Sequence, residues 1–100
     1  MYNGSMSGAQ VQRPWTFLSN HGHVLVYVHR HPDARVRELA AAVGVTERTA
    51  HAILSDLVTA GYLTVTRVGR RNSYTVTRDL HLRHPEEDST AVGDLLRAFR

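Results

Sequence analysis

Apolar residues near the start of the chain recur every three or four positions, the spacing of one face of an α-helix. Val24, Leu25 and Val28 form the first such group. Ser19 or Asn20 before it can cap a helix, and Pro32 after it can end one. The same β-branched run is also compatible with a strand. We expect the helix, because the segments that follow are helical in pattern as well.

Two further helices are predicted directly after the first. Segment 34–43 carries a helical stripe between Asp33 and Gly44, and a glycine is typical of the position that follows a helix. Thr46 can then cap a third helix, which we expect to span 46–60. The two apolar stripes consist of Val36, Leu39, Ala40 and Val43 in the second helix and Ala50, Ile53, Leu54 and Leu57 in the third.

After Gly61 the pattern changes from helical spacing to alternation. Segments 62–68 and 73–77 alternate apolar with polar positions, which is typical of half-buried strands. The residues 69–72 between them, Gly-Arg-Arg-Asn, are suited to a tight turn. This part of the chain therefore predicts a β-hairpin with a basic tip.

The C-terminal residues predict one more helix. It would begin after Ser89 or Thr90 and carry its apolar positions on one face. Those positions are Val92, Leu95, Leu96 and Phe99. We divide the chain into a disordered N-terminal tail or tag remnant (1–12), one folded domain (13–80), and a linker with the C-terminal helix (81–100).

The order of these elements predicts an α+β fold, the winged helix-turn-helix, with a three-helix core, a two-stranded β-wing and an additional C-terminal helix. Residues 36–53, VRELAAAVGVTERTAHAI, meet the packing demands of the helix-turn-helix. Ala40 and Ala50 are small where two helices would cross, and Gly44 permits a sharp turn. An ordinary helical hairpin with a glycine between its helices fits the same spacing. The hairpin with a basic tip that follows favours the winged fold.

Composition narrows the function classes. The chain has 100 residues, 42% of them apolar, which suits one modest globular domain. It has no cysteine, so it can form neither a disulfide nor a thiolate site, and no apolar run is long enough for a membrane span. We expect a cytoplasmic protein. All twelve basic residues are arginine, whose planar fork matches phosphate and guanine edges.

The segment 36–76 resembles the winged-helix domains of MarR-like and ArsR-like bacterial regulators. The run SDLVTAGYL, residues 55–63, is similar to the end of the recognition helix in those families, just before the first wing strand. The resemblance implies a cytoplasmic, dimeric transcriptional regulator that responds to a small ligand or a metal. The cysteine box of the ArsR-like metal sensors is absent here, which weakens a metal-sensing role.

In a winged-helix protein the third helix enters the major groove of DNA, and the wing contacts the minor groove or the backbone. We therefore expect sequence-specific binding of double-stranded DNA through a recognition helix at 46–60 and a wing at 67–74. The candidate DNA-binding residues are Thr46, Glu47, Arg48, Thr49, His51, Ser55, Arg67, Arg70, Arg71 and Asn72. Arg48 is the candidate for reading guanine, and Arg70 and Arg71 are the candidates for the backbone or a narrow minor groove.

One such domain offers a small contact area to DNA, so we expect a homodimer. The C-terminal helix would be a dimerisation helix, packed with the apolar residues that precede the first helix. The candidate interface residues are Trp15, Phe17, Leu18, Val92, Leu95, Leu96 and Phe99. The alternative is that the C-terminal helix folds back on its own domain.

Other functions remain as alternatives. Six of the seven histidines lie in three closely spaced pairs, His21/His23, His29/His31 and His81/His84. Residues two apart, as in the first two pairs, point to different sides of a helix, so a His-liganded metal-responsive regulator is the weaker interpretation. We expect no catalytic residues, no metal site and no cofactor, because no nucleophile–base pair, carboxylate pair or phosphate loop is recognisable. A winged-helix protein–protein interaction module is the second alternative. A small-molecule effector of unspecified chemistry stays open.

Overall fold

The structure, a computed structural model, describes residues 14–99. The tail predicted at 1–12 lies outside the described residues. Three helices are followed by an antiparallel hairpin and a short last helix. The elements are α1 (Asn20–Arg30), α2 (Val36–Val43), α3 (Glu47–Thr59), β1 (Leu63–Val68), β2 (Arg71–Val76) and α4 (Val92–Leu96). This order confirms the predicted α+β winged helix-turn-helix with an additional C-terminal helix.

Capping side chains fix where α1 and α3 begin. The Ser19 hydroxyl accepts a hydrogen bond from the backbone N–H of Gly22, with 3.2 Å between the two atoms. The Thr46 hydroxyl accepts one from the backbone N–H of Thr49 at 3.0 Å. Such bonds satisfy N–H groups that have no partner within the helix. Both predicted starts are confirmed, and Val24 to Val28 are helical rather than extended.

The core lies between the three helices, the base of the hairpin and α4. Val24 and Ala50 are fully buried, and Ala40 is 3% exposed. Small side chains at 40 and 50 let α2 and α3 approach closely, as the sequence predicted. The buried set is completed by Leu25, Val28, Leu39, Ile53, Leu54, Leu57, Leu63, Tyr74, Val92 and Leu96.

A glycine makes the turn between α2 and α3. Gly44 has φ +90°, a backbone conformation that side chains with a Cβ rarely adopt. Its N–H and that of Val45 both donate to the carbonyl oxygen of Ala40, at 2.8 and 3.0 Å. The turn therefore provides hydrogen-bond donors for a carbonyl group at the end of α2 and redirects the chain into α3.

The start of α2 differs from the prediction. The helix begins at Val36 with Arg35 as its extended N-cap residue, whereas we expected a start directly after Asp33. The Glu38 carboxylate accepts the backbone N–H of Arg35 at 3.0 Å, and the Ala34 N–H donates to the carbonyl of His31 at 3.1 Å. A turn centred on Pro32 and Asp33 therefore precedes the helix, and a carboxylate from within the helix replaces the expected cap.

The wing is a regular two-stranded ribbon, which we define as residues 63–76. Its strands pair from Leu63 opposite Val76 to Val68 opposite Arg71. Only two residues, Gly69 and Arg70, form the turn, so Arg71 begins the second strand. Gly69 has φ +62°, the sign that hairpin turns of the II′ type require at this position.

The C-terminal helix is shorter than the sequence suggested. It spans five residues, Val92–Leu96, instead of beginning near Ser89 or Thr90. Thr90 accepts a backbone hydrogen bond from Leu82 at 3.0 Å, and Val92 donates to Leu80 at 2.8 Å. These bonds hold residues 90–92 against the chain that leaves the wing, so the helix cannot start earlier.

Candidate nucleic-acid interface

Helix α3 has two opposite faces of different chemistry. Ala50, Ile53, Leu54 and Leu57 are buried, at 8% exposure or less. The positions on the opposite side, spaced three and four apart along the helix, are all exposed. They are Arg48, Ala52, Ser55 and Thr59. We call these four residues the outer face of α3.

The outer face combines one long cation with small side chains. Arg48 is in the first turn, where the expected base-reading residue would lie. Ser55 lies two turns further along on the same face, with Ala52 between them. Ala52 was not among the sequence candidates, since an alanine carries no chemistry of its own. Its exposure identifies it as a place where the helix backbone can come close to a bound surface.

The first turn of α3 holds two hydroxyl groups in series. The Thr46 hydroxyl donates to the Thr49 Oγ1 at 3.0 Å while it accepts the Thr49 N–H, so its one proton is already used within the chain. The Thr49 hydroxyl has no acceptor for its own proton within residues 14–99. Thr49 can therefore donate to an external group, whereas Thr46 acts as the cap.

The remaining helix candidates lie on the flanks. Glu47 and His51 are four residues apart, so they share one flank of α3, and both are exposed. On the other flank, the Asp56 carboxylate lies 2.8 Å from the His21 Nε2 of α1. This hydrogen bond joins α3 to α1 at the surface.

The wing candidates are all exposed, and their positive charges have no acidic partner among the described residues. Arg67 lies in β1 opposite Asn72, and its Nε donates to the carbonyl of Gly69 at 3.2 Å. Arg70 occupies the turn, and Arg71 follows it in β2. Within the described part of the chain, the only ion pairs join His21 to Asp56 and Arg97 to Asp94. The wing arginines are therefore available to an external anion.

The candidate dimer residues separate into two groups. Trp15 and Phe17 are 67% and 93% exposed, and their rings meet edge to face with centroids 5.0 Å apart. Val92 and Leu96, by contrast, are 1% and 0% exposed and belong to the core of their own chain. The second group cannot reach a partner in this conformation. Leu18, Leu95 and Phe99 are partly buried.

Two negative observations concern residues 14–99 only. The described helices include none long and apolar enough to span a bilayer. The same residues contain no group of three or more histidine or acidic side chains arranged to hold a metal ion. The histidine pairs noted in the sequence are thus not assembled into a site within this range.

No curated protein matches the chain. The model of the MarR family matches residues 16–71, which comprise α1, α2, α3, β1 and the turn of the wing. This match covers more than half of the chain and includes every candidate DNA-binding residue except Asn72. MarR proteins form a family of regulators rather than enzymes, so membership indicates DNA binding and transcription regulation. The chain belongs to the MarR family of winged helix-turn-helix regulators.

Proposed function

We propose that this protein is a transcriptional regulator that binds a specific double-stranded DNA sequence as a homodimer. The recognition helix α3 would lie in the major groove, and the wing would contact the minor groove or the backbone. The observation that carries this proposal is the asymmetry of α3. Its inner side is completely buried, while its outer face is free along the whole helix and begins with Arg48. An exposed helix face of this kind fits the major groove.

Arg48 is the residue to which we assign base reading. A guanidinium can donate two parallel hydrogen bonds to the O6 and N7 atoms of guanine, and one such contact discriminates against a wrong base by about 1–3 kcal/mol. The small side chains of Ala52 and Ser55 leave room for the helix to enter the groove beyond Arg48. Thr49, with its free hydroxyl proton, is placed to donate to a phosphate oxygen.

Glu47, His51 and Asn72 complete the proposed interface. Glu47 can accept a hydrogen bond from a cytosine amino group, and its charge also suits the positive end of the α3 dipole. His51 extends the same flank of the helix. Asn72 extends the surface of the wing next to the arginines. These residues contribute less to the proposal than Arg48, because each is also an ordinary solvated side chain.

The dimer is proposed from the aromatic pair at the N-terminal side of α1. A single module buries about 600–1,000 Å² on DNA, which seldom gives regulatory affinity alone. Trp15 and Phe17 expose two large rings next to each other, a kind of surface that marks an interaction site. Because Val92 and Leu96 are in the core, the proposed interface reduces to Trp15, Phe17 and Leu18, and the partly buried Leu95 and Phe99 stay as secondary candidates.

The DNA proposal is tested by selecting bound duplexes from a random double-stranded library and then measuring affinity by fluorescence anisotropy. We expect one enriched motif for the wild-type protein. Arg48→Ala should relax the preference at one base pair and keep the rest of the motif. Enrichment of no motif, with binding equal for all duplexes, would contradict sequence-specific regulation. Affinity that is independent of both salt and the wing arginines would favour the protein-interaction module.

The dimer is tested by analytical ultracentrifugation of the full chain. We expect a dimer for the wild type and a monomer for the Trp15→Ala, Phe17→Ala double variant at the same concentration. Val65→Ala is the matched control, since Val65 is an apolar residue of the wing that is 39% exposed and far from the aromatic pair in sequence. A wild-type monomer, or equal dissociation in both variants, would refute this interface.

A further inference from the structure

A groove of 340 Å³ runs between the start of α2 and the wing. One wall is the segment that leads into α2, and the other is the tip and second strand of the hairpin. The polar and aromatic side chains that line it are Asp33, Arg35, Arg70, Arg71, Asn72 and Tyr74. Arg35 was not a sequence candidate, because it lies 35 positions before Arg70 and outside the recognition helix.

The groove is positively charged. Three guanidinium groups line it against one carboxylate, Asp33. None of the three arginines forms an ion pair within residues 14–99. Guanidinium groups keep their charge at any biological pH, so like charges around one groove repel each other unless an anion lies between them. The groove therefore carries a net positive charge that favours an external anion.

Both walls of the groove are fixed by the fold. The backbone N–H of Tyr74 donates to the carbonyl of Pro32 at 3.0 Å, which ties the second wing strand to the segment before α2. Tyr74 itself is 7% exposed. On the opposite wall, the Glu38 carboxylate holds the backbone of Arg35. The spacing of the two arginine-bearing segments is thus set before any ligand binds, which lowers the cost of binding.

We infer that this groove holds the phosphodiester backbone of the DNA strand that separates the major groove from the minor groove. The inference rests on the proposed function, in which α3 enters the first groove and the wing approaches the second. One strand would then pass between the helical body and the wing, where Arg35 lines the groove. Arg35 contacts a phosphate from the α2 side while Arg70 and Arg71 contact it from the wing side. Paired hydrogen bonds from a guanidinium suit a phosphate group in particular.

Asp33 allows a test of the opposite charge in the same groove. A carboxylate beside a bound phosphate is repelled by it, so Asp33 limits the affinity. Replacing it with the neutral, equally sized asparagine should strengthen DNA binding, while an alanine at Arg35 should weaken it. A groove that merely kept the wing soluble would respond to neither change.

The experiment measures affinity for the selected duplex at ~50 mM and ~200 mM salt by fluorescence anisotropy. Losing one phosphate contact lowers the slope of log affinity against log salt by about 0.9. We expect Arg35→Ala to lose about tenfold in affinity at the lower salt. That defect should shrink about threefold when salt rises fourfold. Asp33→Asn should bind more tightly than the wild type at both concentrations.

Arg37→Ala is the matched control. Arg37 is an exposed arginine on the same helix, two positions from Arg35, and it does not line the groove. Arg37→Ala removes the same charge as Arg35→Ala. A general electrostatic effect would therefore lower the DNA affinity of both variants equally, whereas a direct contact would lower that of Arg35→Ala alone. Circular dichroism and thermal unfolding of each variant show that the fold is intact. Arg35→Lys provides a second check, since it keeps the charge without the fork and should recover only part of the affinity.

Several results would overturn the inference without touching the proposed function. If the wild type binds the duplex and Arg35→Ala binds equally well, the groove holds no DNA strand. Equal losses in Arg35→Ala and Arg37→Ala would have the same meaning. A separate measurement with inorganic phosphate tests whether the groove binds a free anion instead of DNA. If phosphate raises the melting temperature of the wild type but not of Arg35→Ala, while both bind DNA alike, the groove serves a small anion. Failure of the wild type to bind any duplex would instead refute the proposed function.

Discussion

The wing and the C-terminal segment, residues 78–99, both follow α3 and both contain short elements, yet the fold uses them in opposite ways. In the wing only Leu63 and Tyr74 are buried, and the tip carries arginines without acidic partners. In the C-terminal segment Val92 and Leu96 reach the centre of the core. A ribbon with two anchors at its base can present its tip to a ligand, whereas the C-terminal segment closes the hydrophobic core.

The difference shows that the apolar content of an element does not by itself indicate an interface. Residues 92–99 have the amphipathic pattern of a dimerisation helix, and part of that pattern is buried within the chain. The wing contains Val65 and Val68, which are 39% and 64% exposed. It also carries three arginines and no acidic residue. Burial should therefore determine stability in the C-terminal segment and charge should determine DNA affinity in the wing.

The largest effect is expected for Leu96→Ala. Leu96 is fully buried, and removing a buried leucine side chain typically lowers the free energy of unfolding by about 2–5 kcal/mol. Val68→Ala, at an exposed position of the wing, should cost less than about 1 kcal/mol. Urea unfolding measures both. Similar losses in the two variants would remove the distinction between the regions.

The second comparison begins with Gly93→Ala, for which helix propensity and packing predict opposite changes in the free energy of unfolding. Alanine is favoured over glycine in a helix by about 1 kcal/mol, so propensity alone predicts that Gly93→Ala stabilises. A Cβ at Gly93, however, would lie 3.0 Å from both the Cβ and the carbonyl oxygen of Arg78. We expect crowding to prevail and the free energy of unfolding to fall by about 1–3 kcal/mol.

In the wing, Gly69→Ala should also destabilise the protein, but through its backbone. The φ of +62° costs a residue with a Cβ about 1–2 kcal/mol, while nothing lies within 4 Å of the added atom. Thermal unfolding of the two variants tests the comparison. A stabilised Gly93→Ala protein would show that the C-terminal segment packs less closely than the structure indicates.

Much of the helical body could be predicted from the sequence, because its signals are local. Ser19 and Thr46 cap helices through bonds that span three residues, and Gly44 makes a turn that few other residues permit. The outer face of α3 follows from the same local periodicity. These features need no information about distant parts of the chain, so the predicted starts of α1 and α3 and the presence of the hairpin were confirmed, whereas the starts of α2 and α4 were not.

The parts that could not be predicted depend on contacts between distant segments. The late start of α4 results from bonds between residues 80–82 and 90–92. The position of Arg35 beside the wing results from the bond between Tyr74 and Pro32, which lie 42 residues apart in the chain. Neither pairing leaves a periodic signal in the sequence. The groove was therefore visible only in the folded chain.

The smallest effects are expected for two arginines, Arg78 and Arg70, of which one should affect stability and the other DNA binding. The guanidinium of Arg78 donates to the carbonyl of Gly93 at 3.1 Å, at a partly buried position, and so helps to hold α4. Arg78→Ala should lower the free energy of unfolding by up to about 1 kcal/mol, the value of one such hydrogen bond, and leave the salt dependence of DNA binding unchanged.

Arg70→Ala should do the reverse. Its side chain has no ion-pair partner among the described residues, so stability should change by less than about 0.5 kcal/mol. The slope of log affinity against log salt should fall by about one, because one phosphate contact is lost. Urea unfolding and anisotropy titrations on the same preparations measure both quantities. If Arg78→Ala instead changes the salt slope while Arg70→Ala changes stability, the C-terminal segment contacts DNA and the wing supports the fold, because each arginine can affect only the process in which its guanidinium has a partner.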